Sequence, residues 1–134
     1  MIARILIVED EPALGSVMAA YLERFGYAVD TALTTENAWS QFCSANSAAA
    51  SRYSLMIVDM SMSGYRGGEL AQRVVETNPD IRLIATSGYP FDPAHLQALG
   101  GARIAFLQKP FSAEMLVETI ERLLNGSTPS STLP

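Results

Sequence analysis

The stretch IARILIVEDEP, residues 2–12, determines how the rest of the chain is interpreted. Its first part, Ile2–Val8, is almost continuously apolar and rich in β-branched side chains. That composition is typical of a strand covered on both faces. The run ends abruptly at three acids, and Pro12 behind them suits the first turn of a helix. The stretch therefore predicts a buried parallel strand that carries negative charge at its carboxyl end and leads into a helix.

Further short apolar runs alternate with helical patterns, and this alternation predicts an α/β fold with a parallel sheet. Strands are predicted over residues 2–8, 27–32, 55–58, 81–85 and 104–107. Helices are predicted over residues 12–25, 34–42, 69–77, 93–99 and 112–124. The predicted architecture is (βα)5 with right-handed crossovers, which bring the carboxyl ends of the strands to one edge, where such sheets bind ligands.

The chain has 134 residues, a net charge of −5, one cysteine and one histidine. Its length and composition indicate one globular domain. A chain of this length builds one ordinary core and is too short for two domains. Its nine basic residues are scattered, which argues against direct nucleic-acid binding. No apolar run approaches the roughly 18 residues of a membrane span, and the amino terminus lacks the pattern of a secretory signal. We therefore expect a cytoplasmic chain that does not contact the membrane.

Polar side chains follow four of the predicted strands. They are Glu9 and Asp10 after the first, Asp59 after the third, Thr86 and Ser87 after the fourth, and Lys109, the only lysine, after the fifth. Two carboxylates about 4 Å apart repel by about 4 kcal/mol at an effective dielectric constant near 20. An edge with three acids and one lysine therefore requires a cation. Oxygen ligands without Cys or His favour Mg²⁺.

A flavodoxin-like nucleotide-binding protein is an alternative on the same sheet. It would need Gly, Ser and Thr amides after the first strand to hold phosphate, whereas acids stand there. The chain also lacks the glycine-rich nucleotide-binding motifs. No serine has the flanking glycines of a nucleophile elbow, and His95 is predicted on a surface helix away from the edge. Nucleotide binding and serine catalysis are therefore disfavoured.

The chain resembles the receiver domain of two-component response regulators in four motifs that occur in order. The motifs are ILIVEDEP, LMIVDMSMSG with Gly67 closing the loop, LIATSG and FLQKPF. The resemblance runs from about Ile2 to Asn125 and implies a flavodoxin-like sheet with the strand order 2-1-3-4-5. The receiver domain is expected over residues 1–126. The uncharged Ser, Thr and Pro residues of 127–134 predict a disordered tail or linker stub.

The resemblance implies that Asp59 is the phosphoacceptor. Its phosphoryl group would come from a histidine kinase or a histidine phosphotransfer protein. The implied Mg²⁺ ligands are Asp10, Asp59 and the backbone carbonyl of Ser61, with Glu9 acting through metal-bound water.

Two further groups are implied to contact the phosphoryl group, the Ser87 hydroxyl and the Lys109 ammonium. A cis peptide bond is usual in the family between that lysine and Pro110. Ser87 and Phe106 match the switch positions. Through them, phosphorylation would change the surface formed by the last two predicted helices and the fifth strand.

The expected function is therefore signalling in a two-component phosphorelay, by a stand-alone regulator or by the receiver of a hybrid sensor kinase. Its chemistry would be limited to self-catalysed phosphorylation of Asp59 and slow autodephosphorylation, and the resemblance allows a phosphorylation-dependent homodimer. A haloacid-dehalogenase-like phosphatase would need a second Asp where Ser61 stands. A degenerate receiver that serves only for docking would be expected to lose Asp59, Asp10 or Lys109, and all three are present.

Overall fold

A computed structural model describes residues 2–62, 66–89 and 103–125, without the side chain of Arg66. The strands are β1 Arg4–Val8, β2 Ala28–Ala32, β3 Leu55–Asp59, β4 Arg82–Ser87 and β5 Ile104–Gln108. The described α-helices are α1 Pro12–Glu23, α2 Thr35–Asn46, α3 Arg66–Thr77 and α4 Ala113–Asn125, and a 3-10 turn covers Ala49–Ser51. The helix predicted over residues 93–99, with His95, and the tail predicted over residues 127–134 lie outside the described residues.

The five strands form one parallel sheet in the order β2-β1-β3-β4-β5, which confirms the predicted topology. β1 lies between β2 and β3, with Val8 opposite Ala32 on one side and Val58 on the other. Asp59 at the end of β3 is paired with Thr86 of β4. The polar residues that follow or end these strands therefore share one edge of the sheet.

Helices cover both faces of the sheet, which explains the nearly continuous apolar sequence of β1. Residues 5–8 are each at most 1% exposed. Leu6 and Val8 belong to the cluster formed with α2 and α3, whereas Ile5 and Ile7 belong to the cluster formed with α1 and α4. No helix within the described ranges is long and apolar enough to cross a bilayer.

β3 and β4 extend further than the sequence patterns predict, through Asp59 and Ser87. Backbone bonds carry the ladder past the apolar residues: Met60 N donates to the Thr86 carbonyl at 2.7 Å, and Lys109 N donates to the Ser87 carbonyl at 2.7 Å. Because β4 pairs with β3 on one side and with β5 on the other, its polar residues Thr86 and Ser87 are part of the sheet. Asp59, Thr86 and Ser87 consequently lie within strands, whereas Glu9 and Lys109 directly follow the ends of β1 and β5.

Side-chain caps stand at the start of two helices. Asn37 N donates to Thr34 Oγ1 at 3.0 Å at the start of α2, and Met115 N donates to Ser112 Oγ at 3.0 Å at the start of α4. Such caps satisfy backbone donors that have no partner within the helix. α2 continues to Asn46, into the segment predicted as a frayed helix end or loop.

α3 begins earlier than predicted, with Gly67 in its first turn. A Cβ atom at Gly67 would lie 2.9 Å from the backbone oxygen of Asp59 and 3.2 Å from Val58 Cγ1. Glycine is therefore what allows α3 to approach the end of β3 so closely. A Cβ atom at the neighbouring Gly68 would meet only the flexible Met60 Cε, at 3.5 Å.

We expect Gly67→Ala to lower the free energy of unfolding by about 1–3 kcal/mol, because the backbone of β3 must move away from the added methyl group. Gly68→Ala is the matched control, and it should leave stability unchanged or raise it, since alanine favours a helix by up to about 1 kcal/mol over glycine. Urea unfolding followed by the fluorescence of Trp39 measures both variants. Equal effects of the two substitutions would contradict the close approach.

Candidate functional site

The carboxyl ends of β1, β3 and β5 meet at a lysine held between two buried acids. Lys109 Nζ donates to Glu9 Oε1 at 2.9 Å and to Asp59 Oδ2 at 3.1 Å. The side chains of Glu9 and Asp59 are 3% and 5% exposed, and that of Lys109 is 19% exposed. The structure thus brings together three residues that were predicted to meet from the carboxyl ends of three different strands. The Lys109–Pro110 peptide bond is cis, as the resemblance implies.

Both carboxylate oxygens of Asp59 accept hydrogen bonds. Oδ2 accepts from Lys109, while Oδ1 accepts from the Ser61 backbone N at 2.9 Å and from Ser61 Oγ at 2.8 Å. The sequence predicts a role only for the backbone carbonyl of Ser61, and the contact of its hydroxyl with Asp59 emerges from the structure. An aspartate that ends a strand two residues before a serine is a signal for this turn, because aspartate often accepts a bond from the backbone two residues on.

The two buried acids have pKa values shifted in opposite directions. Burial raises the pKa of Asp59, but its hydrogen bonds from Ser61 and Lys109 outweigh burial and hold it below its ordinary value. Burial also raises the pKa of Glu9, and there the bonds from Lys109 and the Glu11 backbone offset it only partly, while the charge of Asp59 adds to the increase. Asp59 is therefore the more readily ionised of the two buried carboxylates.

The pKa of Lys109 is raised. Burial lowers it, but the hydrogen bonds and charges of Glu9 and Asp59 outweigh burial. The amino group is therefore an ammonium ion at neutral pH, which can neutralise one of the negative charges around it.

Three acidic side chains form a group beside Lys109. Glu9, Asp10 and Asp59 each offer one carboxylate oxygen, and these atoms lie within 4.8 Å of one another. Asp10 is exposed, whereas the other two acids are buried, so the group is accessible from solvent on the side of Asp10. Hard oxygen donors of this kind suit Mg²⁺, which binds through one or two carboxylates and keeps several waters. The donor set fits the predicted ion.

Two serine hydroxyls accept hydrogen bonds from the backbone of residues 88 and 89, the turn after β4. Ser87, which is 3% exposed, accepts at Oγ from the backbone N of Tyr89 at 3.1 Å. Ser61 Oγ accepts from the backbone N of Gly88 at 3.4 Å. The Ser87 hydroxyl thus supports the turn that follows its own strand, and Ser61 connects the same turn to the end of β3.

The predicted switch residue Phe106 lies in β5 and is partly buried. It packs against the apolar cluster on the α2 and α3 face of the sheet. Its role as a switch stays a prediction, as does the role of the Ser61 carbonyl as a metal ligand.

We expect Glu9→Gln to stabilise the fold at neutral pH in buffer containing EDTA. Because the pKa of Glu9 is raised in the folded chain, the unfolded chain releases this proton first as the pH rises through its ordinary value of 4.5. Ionisation of Glu9 therefore lowers stability above that pH, and glutamine avoids this loss. The gain should be complete once the pH exceeds the raised pKa of Glu9 and should shrink as the pH falls and the wild-type carboxyl becomes protonated.

Urea unfolding across this pH range measures the difference, and Glu11→Gln, which removes an exposed charge from the adjacent turn, is the control. The pH dependence contributed by Asp59 has the opposite sign: its lowered pKa stabilises the fold above its ordinary value of 3.8. A destabilised Glu9→Gln variant at neutral pH would contradict the interpretation.

Known proteins resemble this chain in sequence over nearly its whole length. The family model of the response regulator receiver domain matches residues 5–121. The DNA-binding transcriptional regulator NtrC of Azospirillum brasilense is 30% identical over 132 residues, 98% of this chain and 26% of that protein. The sensor kinase CckA of Brucella abortus is 32% identical over 124 residues, 91% of this chain and 12% of that protein. The chain thus spans about a quarter of the regulator and less of the kinase.

Solved structures agree with the observed fold. A CheY-like response regulator receiver domain protein from Methanospirillum hungatei superposes with a TM-score of 0.80 at 25% identity, covering 94% of this chain and 96% of that chain. The response regulator TrrA of Thermotoga maritima, solved in complex with Mg²⁺ and BeF, gives a TM-score of 0.76 at 29% identity, covering 92% of this chain and all of that one.

Proposed function

The chain belongs to the response regulator receiver domain family, and on this basis we propose that it is the phosphoacceptor domain of a two-component phosphorelay, with Asp59 as the residue that is phosphorylated. The observation that carries the proposal is the environment of Asp59. It is a nearly buried carboxylate with a lowered pKa, held by Ser61 and Lys109 beside two further acids.

Asp59 is the nucleophile in the proposed reaction. One carboxylate oxygen forms a bond to the phosphorus of a partner's phosphohistidine, the phosphorus–nitrogen bond breaks, and the imidazole leaves with the electron pair. Phosphoryl transfer passes through a loose transition state, so positioning and charge neutralisation provide most of the catalysis. The Ser61 and Lys109 bonds supply the positioning of Asp59. Lys109 is also a mobile point charge that can move from the carboxylate to a phosphoryl oxygen.

Asp10 and Asp59 are the proposed direct ligands of Mg²⁺, together with the backbone carbonyl of Ser61, and Glu9 is proposed to act through a water molecule. The three acids are grouped as in the Mg²⁺ site of a receiver domain. When bound, the ion supplies positive charge that reduces the repulsion between the phosphoryl oxygens and the carboxylates. Lys109 alone offsets one of the three negative charges of the group.

The proposed switch begins at Ser87 and continues to Phe106. The Ser87 hydroxyl would leave the Tyr89 backbone and bond the phosphoryl group, a contact that exists only in the phosphorylated state. A contact of this kind shifts the balance between two conformations. As Ser87 moves, the ring of Phe106 would occupy the vacated space and change the surface around β5.

The proposed partner is a histidine kinase or a histidine phosphotransfer protein in the cytoplasm, and the domain transmits a signal rather than turning over a substrate. Receiver sequences similar to this one occur both in transcriptional regulators and in a sensor kinase. The domain is therefore proposed to act as a stand-alone regulator or within a hybrid kinase, with phosphorylation-dependent pairing of two copies as an outcome that size measurements can test.

We expect the wild-type chain to gain one phosphoryl group on incubation with acetyl phosphate and Mg²⁺, because the carboxylate of Asp59 is ionised and positioned to attack. Intact-mass spectrometry measures the adduct, and Asp59→Asn, which preserves shape but removes the nucleophile, is the control. The adduct should be lost in hydroxylamine, as an acyl phosphate is. Absence of an adduct on the wild type, or an equal adduct on the control, would refute the proposal.

We expect Mg²⁺ to stabilise the wild-type fold, and Asp10→Asn to lose most of that stabilisation. A ligand at a hundredfold excess over its Kd raises the free energy of unfolding by about 2.7 kcal/mol. Urea unfolding with Mg²⁺ and with EDTA measures the response, and Glu11→Gln is again the charge-matched control because its side chain is outside the oxygen group. If both variants respond to Mg²⁺ equally, Asp10 is not a ligand.

A further inference from the structure

We propose that the Ser61 hydroxyl is a positioning group that holds the unphosphorylated arrangement of the turn after β4. The inference rests on the proposed function of Asp59 as phosphoacceptor. It starts from one atom, Ser61 Oγ, which lies 2.8 Å from Asp59 Oδ1 and 3.4 Å from the backbone N of Gly88. This oxygen bridges the end of β3 and the end of β4.

The direction of the two hydrogen bonds follows from the chemistry of the partners. A carboxylate only accepts and a backbone N–H only donates, whereas a hydroxyl has one hydrogen and two lone pairs. The hydroxyl hydrogen of Ser61 therefore goes to Asp59, and a lone pair faces Gly88. The bond to the carboxylate is charge-assisted and about twice as strong as a bond between neutral groups. The negative charge of Asp59 thus attracts the hydroxyl hydrogen, and the hydroxyl oxygen is left to accept from the Gly88 backbone N–H.

The neighbouring backbone amide is held in a similar way. The backbone N of Tyr89 donates to Ser87 Oγ at 3.1 Å. Two consecutive N–H groups of the turn are therefore occupied by two serine hydroxyls at the site. Ser87 is contributed by β4 itself, so Ser61 is the member of this pair that connects the turn to Asp59.

Phosphorylation changes the strength of the bridge. Once Asp59 becomes an acyl phosphate, its carboxyl group has no full negative charge, and the bond from the Ser61 hydroxyl loses its charge assistance. The phosphoryl group carries a charge of about −1.5 to −2 and three strong acceptor oxygens, which compete for nearby hydroxyl and N–H donors. The bridge to Gly88 is therefore favoured in the unphosphorylated state. A contact with such a preference holds the equilibrium on that side.

A purely local role for Ser61 gives different expectations. The Ser61 backbone N alone bonds Asp59 Oδ1 at 2.9 Å. If the hydroxyl only assists this bond in orienting the carboxylate, its removal leaves the Gly88 amide and the response to phosphorylation unchanged.

The test compares Ser61→Ala with Ser61→Thr, which keeps a hydroxyl at the same position. In the unmodified protein, NMR should show the Gly88 amide proton of Ser61→Ala moving upfield as its acceptor is lost. The Gly88 amide of Ser61→Thr should stay near its wild-type position. Asp59→Asn, which removes the charge that orients the hydroxyl, should move the same amide in the same direction as Ser61→Ala does.

The second measurement is the affinity for beryllofluoride, a phosphoryl analogue, in the presence of Mg²⁺. Ser61→Ala should bind it about two- to fivefold more tightly than the wild type, a factor in the range of one net hydrogen bond, because the substitution removes the bond from Gly88 that only the unphosphorylated state makes. Ser61→Thr should bind as the wild type does. Unchanged or weaker binding by Ser61→Ala would overturn the inference, and so would an unmoved Gly88 amide.

The two measurements separate this inference from the proposed function. A wild-type chain that takes neither beryllofluoride nor a phosphoryl group contradicts the proposed function. The Gly88 amide is observed in the unmodified protein, so its response decides the hydrogen-bonded bridge independently of that result.

Discussion

The ammonium group of Lys109 is the contact on which the arrangement of the site depends. It lies 2.9 Å from Glu9 Oε1 and 3.1 Å from Asp59 Oδ2, on residues that are 100 and 50 positions away in sequence. Two buried carboxylates side by side repel each other and lose their hydration, so the convergence of β1 and β3 at this point requires a positive charge. β5 supplies that charge from the far side of β4.

The acids of the site differ because they receive different numbers of hydrogen bonds. Asp59 accepts from the Ser61 backbone, the Ser61 hydroxyl and Lys109, whereas Glu9 accepts from Lys109 and the Glu11 backbone. Burial disfavours the charged form of both carboxyl groups, and only for Asp59 do the bonds outweigh it. One pocket thereby contains an easily ionised carboxylate, which is the proposed nucleophile, and a second acid whose charge is costly without a further cation. This difference agrees with a pocket that takes up a metal ion.

The turn after β4 belongs to the same hydrogen-bonded network as Asp59. Ser61 Oγ connects the carboxylate to Gly88, and Ser87 Oγ accepts from the following amide. A chemical change at Asp59 is therefore only two hydrogen bonds away from a backbone segment that borders the sheet edge. Short hydroxyl side chains suit this position because they can donate and accept at once without filling the pocket.

Local sequence patterns predicted much of the fold. The apolar run of β1 required cover on both faces, and alternation of strands and helices indicated a parallel sheet. The types of polar residue at the strand ends also indicated the chemistry of the edge. The individual roles of Asp59, Ser87 and Phe106 came from the resemblance to a family and not from these patterns.

Periodicity and turn residues locate each strand to within a few residues and show which groups stand at its carboxyl end, because these signals act over a few positions. Three features emerge only in the assembled fold: Lys109 lies between Glu9 and Asp59, β4 continues through Ser87, and the Ser61 hydroxyl reaches Gly88. Each of these depends on the pairing of strands that are distant along the chain. Local patterns carry no information about such pairing. The energy of the paired arrangement comes from charge neutralisation and hydrogen bonds that form only after the strands have assembled.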